Sequence, residues 1–211
     1  MKLYYFPGAC ALACHIALEW TGAAYLTVRL SQASTKSADY LQINHEGTVP
    51  LLEHEGKTLT ETAAILFYIA EKYPHTSLLG ASDAYGRADV IRWVSYLGSE
   101  LHPTFRQIFH PRRFIDSRDG VSAITSKAKD AIRARLSRID QHLGGKSWLA
   151  ESRSIADPYL LVILRWAESV GLPLDGLGNL VEYKARMLEE EAVIAAITSE
   201  EGRRNGPETL S

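Results

Sequence analysis

Cys10 and Cys14, the two cysteines of this 211-residue chain, share the stretch PGACALAC from Pro7 to Cys14. They stand four residues apart, where a strand-forming run gives way to a helical one. A free cysteine is commonly a small buried hydrophobe, but the position of Cys10 argues for more. It follows Pro7-Gly8 and opens the helix, so its sulfur meets N–H groups with no intrahelical partner, at the positive end of the helix dipole. That setting favours the thiolate and lowers a thiol pKa from about 8.5, and loops at strand ends are exposed and carry chemistry. Cys14 lies one turn further in, beside Ala13 on a largely apolar helix, and reads as core filler. A disulfide between the two is disfavoured, because an i,i+4 helical pair seldom reaches the required sulfur torsion. The spacing is not Cys-x-x-Cys, and with His15 pointing off the shared face a zinc site would lack two ligands. The expectation is one working thiol, Cys10, and one structural thiol.

A second set of chemically capable side chains lies far along the chain. His102, Arg106, His110 and Arg113 recur at i, i+4, i+8 and i+11, which on one continuous helix makes a cationic stripe. A lone helical histidine is more often solvated or core than catalytic, and such a stripe is ordinarily a solvated face. Phe105, Phe109 and Phe114 indicate that one flank is packed. Pro103 inside this helix deletes a backbone hydrogen bond and is expected to bend it near Ser99, whose carbonyl loses its partner.

The elements that must hold these groups follow from periodicity and turn chemistry. Lys2 to Phe6 is β-rich and stops at Pro7-Gly8. Ala11 to Trp20 has helical spacing and ends at Thr21-Gly22, a C-cap signal. Tyr25 to Leu30 reads as a second strand, and Ser37 to Ile43 as a short helix. Val49 to Glu53 and Thr58 to Thr60 flank Glu55-Gly56-Lys57, a hairpin. Thr62, Ile65, Leu66 and Ile69 then share one helical face. The order β-α-β-α-β-β-α is a small α/β sheet domain, placed at 1–76, with a linker at 77–83 in the Pro-, Gly- and Ser-bearing stretch YPHTSLLGASD. From 84 to 211 nothing looks like a strand. Amphipathic runs cover about 84–114, 121–143, 156–170 and 179–198, broken at Gly120, Gly144-Gly145 and Gly171-Leu172-Pro173. Leu160 to Leu164 is apolar on every side, the mark of a buried bundle helix, and Ser154-Ile155-Ala156-Asp157 before it resembles a capping box with Asp in place of Glu. The charged tail from Glu200 reads as frayed.

Composition removes several classes of function. Apolar residues make 46% and charged residues 23% of the chain, and the formal net charge is -2, so there is no basic field to attract nucleic acid. No run approaches the roughly 18 apolar residues of a membrane span. The opening residues lack the pattern of a secretory signal, and two close cysteines do not make a disulfide framework. A cytoplasmic, reducing location is expected. No Gly-rich phosphate cradle and no metal-ligand set is present, so neither nucleotide nor metal is expected.

The thiol at the first strand-to-helix junction, then Asn44-x-x-Gly47-x-Val49-Pro50, then Thr60-Glu61-Thr62 opening a helix, together resemble the glutathione transferases. Ser99-Glu100-Leu101-His102 and the Ser-x-x-Asp box extend the likeness over nearly the whole chain. MKLYYFPGAC is similar to the opening of the bacterial β class. The resemblance implies a thioredoxin-like first domain and an all-helical second one, glutathione as co-substrate, and a homodimer acting on a small electrophile or disulfide. It implies that Cys10 faces the glutathione sulfur, with His102 as second active-site residue.

Further site residues come with that resemblance. A cis Val49-Pro50 bond would turn the Val49 backbone outward for the cysteinyl part of the tripeptide, where an isolated reading gives an edge-strand proline. Glu61 and Thr62 at a helix N-terminus suit the γ-glutamyl group, although a plain N-cap is as good a reading of those residues alone. Lys36 is placed on the glycyl carboxylate, and Ser95 and Ser99 towards glutathione of a neighbouring subunit. Tyr5, Phe6, Arg106, His110 and Arg113 are placed around the second substrate, where the cations favour anionic or electron-poor compounds. Three departures stand out: Ala11 replaces a frequent Ser, Cys14 a usual Pro, and Pro103 a frequent Lys. A non-catalytic binding protein of the same fold is the alternative.

Overall fold

A computed structural model describes residues 1–80 and 83–202. The chain divides into two compact units, Met1–Leu79 together with the segment from Leu188 onward, and Gly80–Met187. In the first, strands β1 (Lys2–Tyr5), β2 (Leu26–Arg29), β3 (Leu51–His54) and β4 (Lys57–Thr60) form one mixed sheet in the order β2-β1-β3-β4. β1 runs parallel to β2, pairing Leu3 with Thr27, and antiparallel to β3, pairing Leu3 with Leu52. The β3–β4 hairpin turns at Glu55 and Gly56, both at positive φ (51° and 72°), the turn whose twist matches that of the strands.

Helices α1 (Ala11–Thr21), α2 (Ala38–Ile43) and α3 (Thr62–Lys72) complete the β-α-β-α-β-β-α order. Every residue of α1 from Ala11 to Leu18 is buried. Ala11, Ala13 and Ala17 keep it slender enough to pack against both α3 and α9 (Glu191–Gly202). The C-cap expected at Gly22 is present, with φ 66° and its N–H on the Glu19 carbonyl.

Helix α9 corrects two expectations. The run read as 179–198 is interrupted at Glu190, giving α8 (Gly178–Glu189) and α9. Glu200, placed at the start of a frayed tail, is helical and 3% exposed. Its carboxylate lies 3.3 Å from His15 Nδ1 of α1, which is itself 1% exposed. The remainder of that tail lies outside the described residues.

In the second unit the run 84–114 is several elements: α4 (Ala84–Tyr96), a π turn (Leu97–Leu101) and α5 (His102–Phe109). Near Ser99, where a bend is expected, the structure has that π turn. Pro103 offers no N–H, so the ladder widens and the His102 N–H reaches back five residues to the Leu97 carbonyl. The Thr104 hydroxyl donates to the Glu100 carbonyl at 2.6 Å. Gly120 does not break a helix. It sits in the first turn of α6 (Arg118–His142), where its N–H donates to the Ser117 capping hydroxyl.

The buried helix foreseen at Leu160–Leu164 is α7 (Ala156–Ser169), with those five side chains at most 1% exposed. At its start Asp157 accepts from the Leu149 N–H (3.1 Å), the Ser154 N–H (2.8 Å), the Ser154 hydroxyl (3.0 Å) and the Tyr183 hydroxyl (2.9 Å). No helix among the described residues is long and apolar enough to cross a membrane.

Candidate functional site

Strand β1 ends at Tyr5, and a turn closed by the Ala9 N–H on the Phe6 carbonyl (3.1 Å), with Gly8 at φ 81°, delivers Cys10 to the start of α1. Gly8 supplies a left-handed conformation that a side chain would resist. Cys10 adopts helical angles (φ -62°, ψ -16°) at the cap position, and its Sγ lies 3.7 Å from the Val49 carbonyl oxygen. The thiol is more enclosed than a strand-end loop suggests, at 8% exposure. Tyr5, Ala9 and Ala11 form a small apolar cluster there, with Phe6 and Val49 packed on it.

The loop that carries Val49 is braced from below. The Tyr40 hydroxyl (2.6 Å) and the Asn44 side-chain amide (2.9 Å) both donate to the Thr48 carbonyl. Gly47, at φ 59°, lies so close to the Thr35 carbonyl that a Cβ would approach it to 2.5 Å. The Val49–Pro50 peptide is cis. Lys36 is exposed and donates to the carbonyls of Glu46 (3.1 Å) and Gly47 (2.8 Å); its ammonium thus holds this loop.

Glu61 precedes α3 in an uncommon backbone conformation (φ 69°, ψ 120°), exposed, while Thr62 is buried. A non-glycine residue held at positive φ costs energy and is concentrated at ligand clamps. Its neighbour's position depends on the second cysteine. Cys14 is wholly buried and its Sγ donates to the Thr62 carbonyl at 3.8 Å, tying α1 to the start of α3. Burial pushes the Cys14 thiol well up from its ordinary value, and Cys10 nearby adds to this. The two cysteines therefore have separate posts, and neither is in a disulfide.

Tyr5 and the charged stripe differ from expectation. Tyr5 is fully buried, its ring 5.7 Å from that of His15, so it supports the sheet and cannot line an open pocket. Phe6 is half-buried. The stripe 102–113 is not one helical face: α5 ends at Phe109, and His110 has left the helix (φ -136°, ψ 54°) because Pro111 follows it. Arg113 lies in the next short turn, Pro111–Arg113. Ser95 on α4 and Ser99 in the π turn are both exposed.

His102 stands where the π turn passes into α5. Its Nδ1 is 2.7 Å from the Tyr159 hydroxyl, and its ring lies 4.8 Å from that of Trp166. Tyr159 and Trp166 are not among the site residues expected from the sequence, because nothing local sets them apart within the run 156–170. Burial, and then the Arg106 charge, lower the His102 pKa to about 4. The folded protein therefore takes up this proton only near pH 4, the unfolded chain near 6.5. Stability from the neutral ring is present above pH 6.5 and lost as pH falls from 6.5 to 4. An NMR titration should show His102 neutral at pH 5.5; a midpoint near 6.5 would contradict the geometry. Among the described residues no group of three His, Cys, Asp or Glu could hold a metal.

Comparison with known proteins places this arrangement. Residues 1–71 match the family model "Glutathione S-transferase, N-terminal domain". The chain is 40% identical over 201 residues to glutathione S-transferase GST-4.5 of Xanthomonas campestris pv. campestris, covering 95% of this chain and 98% of that protein. A bacterial beta class glutathione S-transferase of Sphingomonas chungbukensis superposes with a TM-score of 0.85 at 38% identity, covering 95% of this chain and 98% of the other. A sphingomonad glutathione S-transferase complexed with glutathione gives 0.85 at 36%, covering 95% and 99%. With a thioredoxin-like sheet unit, a helical second unit and these relatives over almost its full length, the chain belongs to the glutathione S-transferase family.

Proposed function

We propose that this glutathione S-transferase binds glutathione on its first unit with the tripeptide sulfur against Cys10, and works by thiol–disulfide exchange as well as by conjugation. The observation that carries this is the 3.7 Å approach of the Cys10 sulfur to the Val49 carbonyl. It puts a thiol on the same spot as the main-chain edge, before Pro50, to which the cysteinyl backbone would pair. Thr62 and the N–H groups at the start of α3 take the γ-glutamyl carboxylate, Glu61 its ammonium, and Lys36, from its loop-bracing position, the glycyl carboxylate. In exchange, the Cys10 thiolate attacks the glutathione sulfur of a mixed disulfide between glutathione and the substrate. A protein–glutathione disulfide forms and the substrate leaves as its thiolate. A second glutathione thiolate then attacks, giving oxidised glutathione and regenerating the Cys10 thiolate. In conjugation the glutathione thiolate forms the new bond to an electrophilic carbon as the bond from that carbon to its leaving group breaks, with the protonated Cys10 thiol and His102 donating hydrogen bonds to the glutathione sulfur.

Residues 1–76 serve glutathione in this reading, and 77–83 link (81–82 lie outside the described residues). Of the helical stretch 84–211 the part up to Met187 serves the second substrate, with Phe6, Arg106, His110 and Arg113 contributing, since the segment from Leu188 belongs to the first unit. A cytoplasmic location suits two thiols kept out of a disulfide. The alternative, a binding protein without turnover, predicts retention on glutathione-agarose with no activity. Intact mass after oxidised glutathione, with electrophile and disulfide assays, separates the two; a bound but unmodified and inactive protein would favour the alternative.

The protein is proposed to act as a homodimer in which the exposed Ser95 and Ser99 hydroxyls contact glutathione held by the partner subunit. Sedimentation should give a dimer at micromolar concentration, and S99A should weaken glutathione binding. Monomer with full affinity would remove the idea.

A further inference from the structure

Helix α5 presents a face whose outer groups are not used up by packing. His102, Phe105, Arg106 and Phe109 are spaced 0, 3, 4 and 7 and share one side. Phe105 is fully buried, and Phe109 stacks on it at 5.9 Å with 22° between the planes. Trp166 stands edge-on to Phe109 at 5.6 Å. Phe109 is thus held by two aromatic neighbours, yet 41% of it is exposed. An exposed phenyl fixed in this way is a rigid platform for a flat ring.

Arg106 stands beside that platform, exposed, with no side-chain hydrogen bond or ion pair among the described residues. Three other arginines of the same unit are engaged, Arg92 with Asp89, Arg135 with Glu100 and Arg133 with the Pro173 carbonyl. Arg112, Arg113, Arg118 and Arg138 share the state of Arg106 but lie outside the aromatic face of α5. No carboxylate of this face neutralises Arg106, and it lies near enough to His102 to oppose protonation of the ring. A guanidinium offers a planar fork that matches a carboxylate in two parallel hydrogen bonds. A neutral aromatic would use the phenyl alone, and an inorganic anion the guanidinium alone.

We infer that this face selects, as second substrate, a planar electron-poor aromatic compound carrying a carboxylate, with the carboxylate on Arg106 and the ring over Phe109. The inference rests on the reading of His102 as a residue of the reaction, and it makes Arg106 a specificity-determining residue. Conjugation of such a compound forms a carbon–sulfur bond at the ring carbon bearing a halide. The carbon–halide bond breaks, the halide leaves with the bonding pair, and the thiol proton passes to solvent.

The test compares 4-chloro-3-nitrobenzoate with its neutral amide, 4-chloro-3-nitrobenzamide, on the full chain with glutathione. Wild type should prefer the benzoate in kcat/KM. R106Q should reduce the benzoate-to-benzamide ratio by about tenfold or more, mainly through KM, with R106K intermediate. A ratio unchanged within about twofold in R106Q would overturn the proposal. If wild type turns over neither compound, the transferase reading has failed, and the face is then judged by binding alone. 3-Nitrobenzoate should quench tryptophan fluorescence with about tenfold weaker affinity in R106Q, and 3-nitrobenzamide should bind both proteins alike. Equal binding of 3-nitrobenzoate to the two proteins would overturn the proposal in that case.

Discussion

Cys10→Ala is expected to abolish the mixed disulfide with glutathione and to remove thiol-transferase turnover by at least about a hundredfold, since no other thiol takes its place. Cys14 cannot substitute. It is wholly buried, its sulfur is committed to the Thr62 carbonyl, and burial keeps it protonated, whereas the thiolate is the nucleophile. Glutathione affinity should stay within about tenfold of wild type, because main-chain and helix-terminus contacts carry the binding. Cys14→Ala should retain the adduct and lose stability on the order of 1 kcal/mol. Peptide mapping of the adduct and a disulfide-exchange assay check both. Label found chiefly on Cys14 would overturn the assignment.

Asp157→Ala should be the most damaging substitution for stability, at about 3–5 kcal/mol, because it strands buried donors from Leu149, Ser154 and Tyr183 together. The same carboxylate should give a pH signature of definite sign. Complete burial raises its pKa to about 6, against the pull of its hydrogen-bond donors, from an ordinary 3.8. A carboxylate raised on folding contributes stability that is present below pH 3.8 and lost as pH rises through 6. The two-unit difference corresponds to roughly 3 kcal/mol. His102 works in the opposite direction over much of this window, so the wild-type curve alone is flattened. The difference between wild type and Asp157→Asn, by urea unfolding at pH 4, 5, 6 and 7, isolates the aspartate. That difference should shrink in favour of the variant as pH rises, and a constant offset would show that Asp157 does not titrate there.

Much of the scaffold was decided locally. Pro7-Gly8 stops β1 and Thr21-Gly22 stops α1 through backbone sterics that act within a few residues. Glu55-Gly56 makes the hairpin, and the all-round apolar stretch of α7 marks a helix with no solvent face. Cys10 was legible for the same reason, since strand, turn and helix start lie within ten residues of one another.

Residues 84–114 mark where local reading stopped working. Periodicity gave a charged stripe, but it counts residues at a constant 3.6 per turn. The π turn forced by Pro103 and the helix end before Pro111 both change that count. Pairings between distant segments leave no period at all. Cys14 with Thr62 spans 48 residues, His102 with Tyr159 spans 57, and His15 with Glu200 spans 185. Each of these residues reads alone as an ordinary core or surface position. Only the folded chain brings these partners together, and for Cys14–Thr62 and His15–Glu200 it buries both away from water, which makes each hydrogen bond the one available to them. The sequence by itself therefore determined where a thiol could work. The tertiary structure decided that Cys14 holds α3, that Tyr159 holds a neutral His102, and that α9 is anchored on α1.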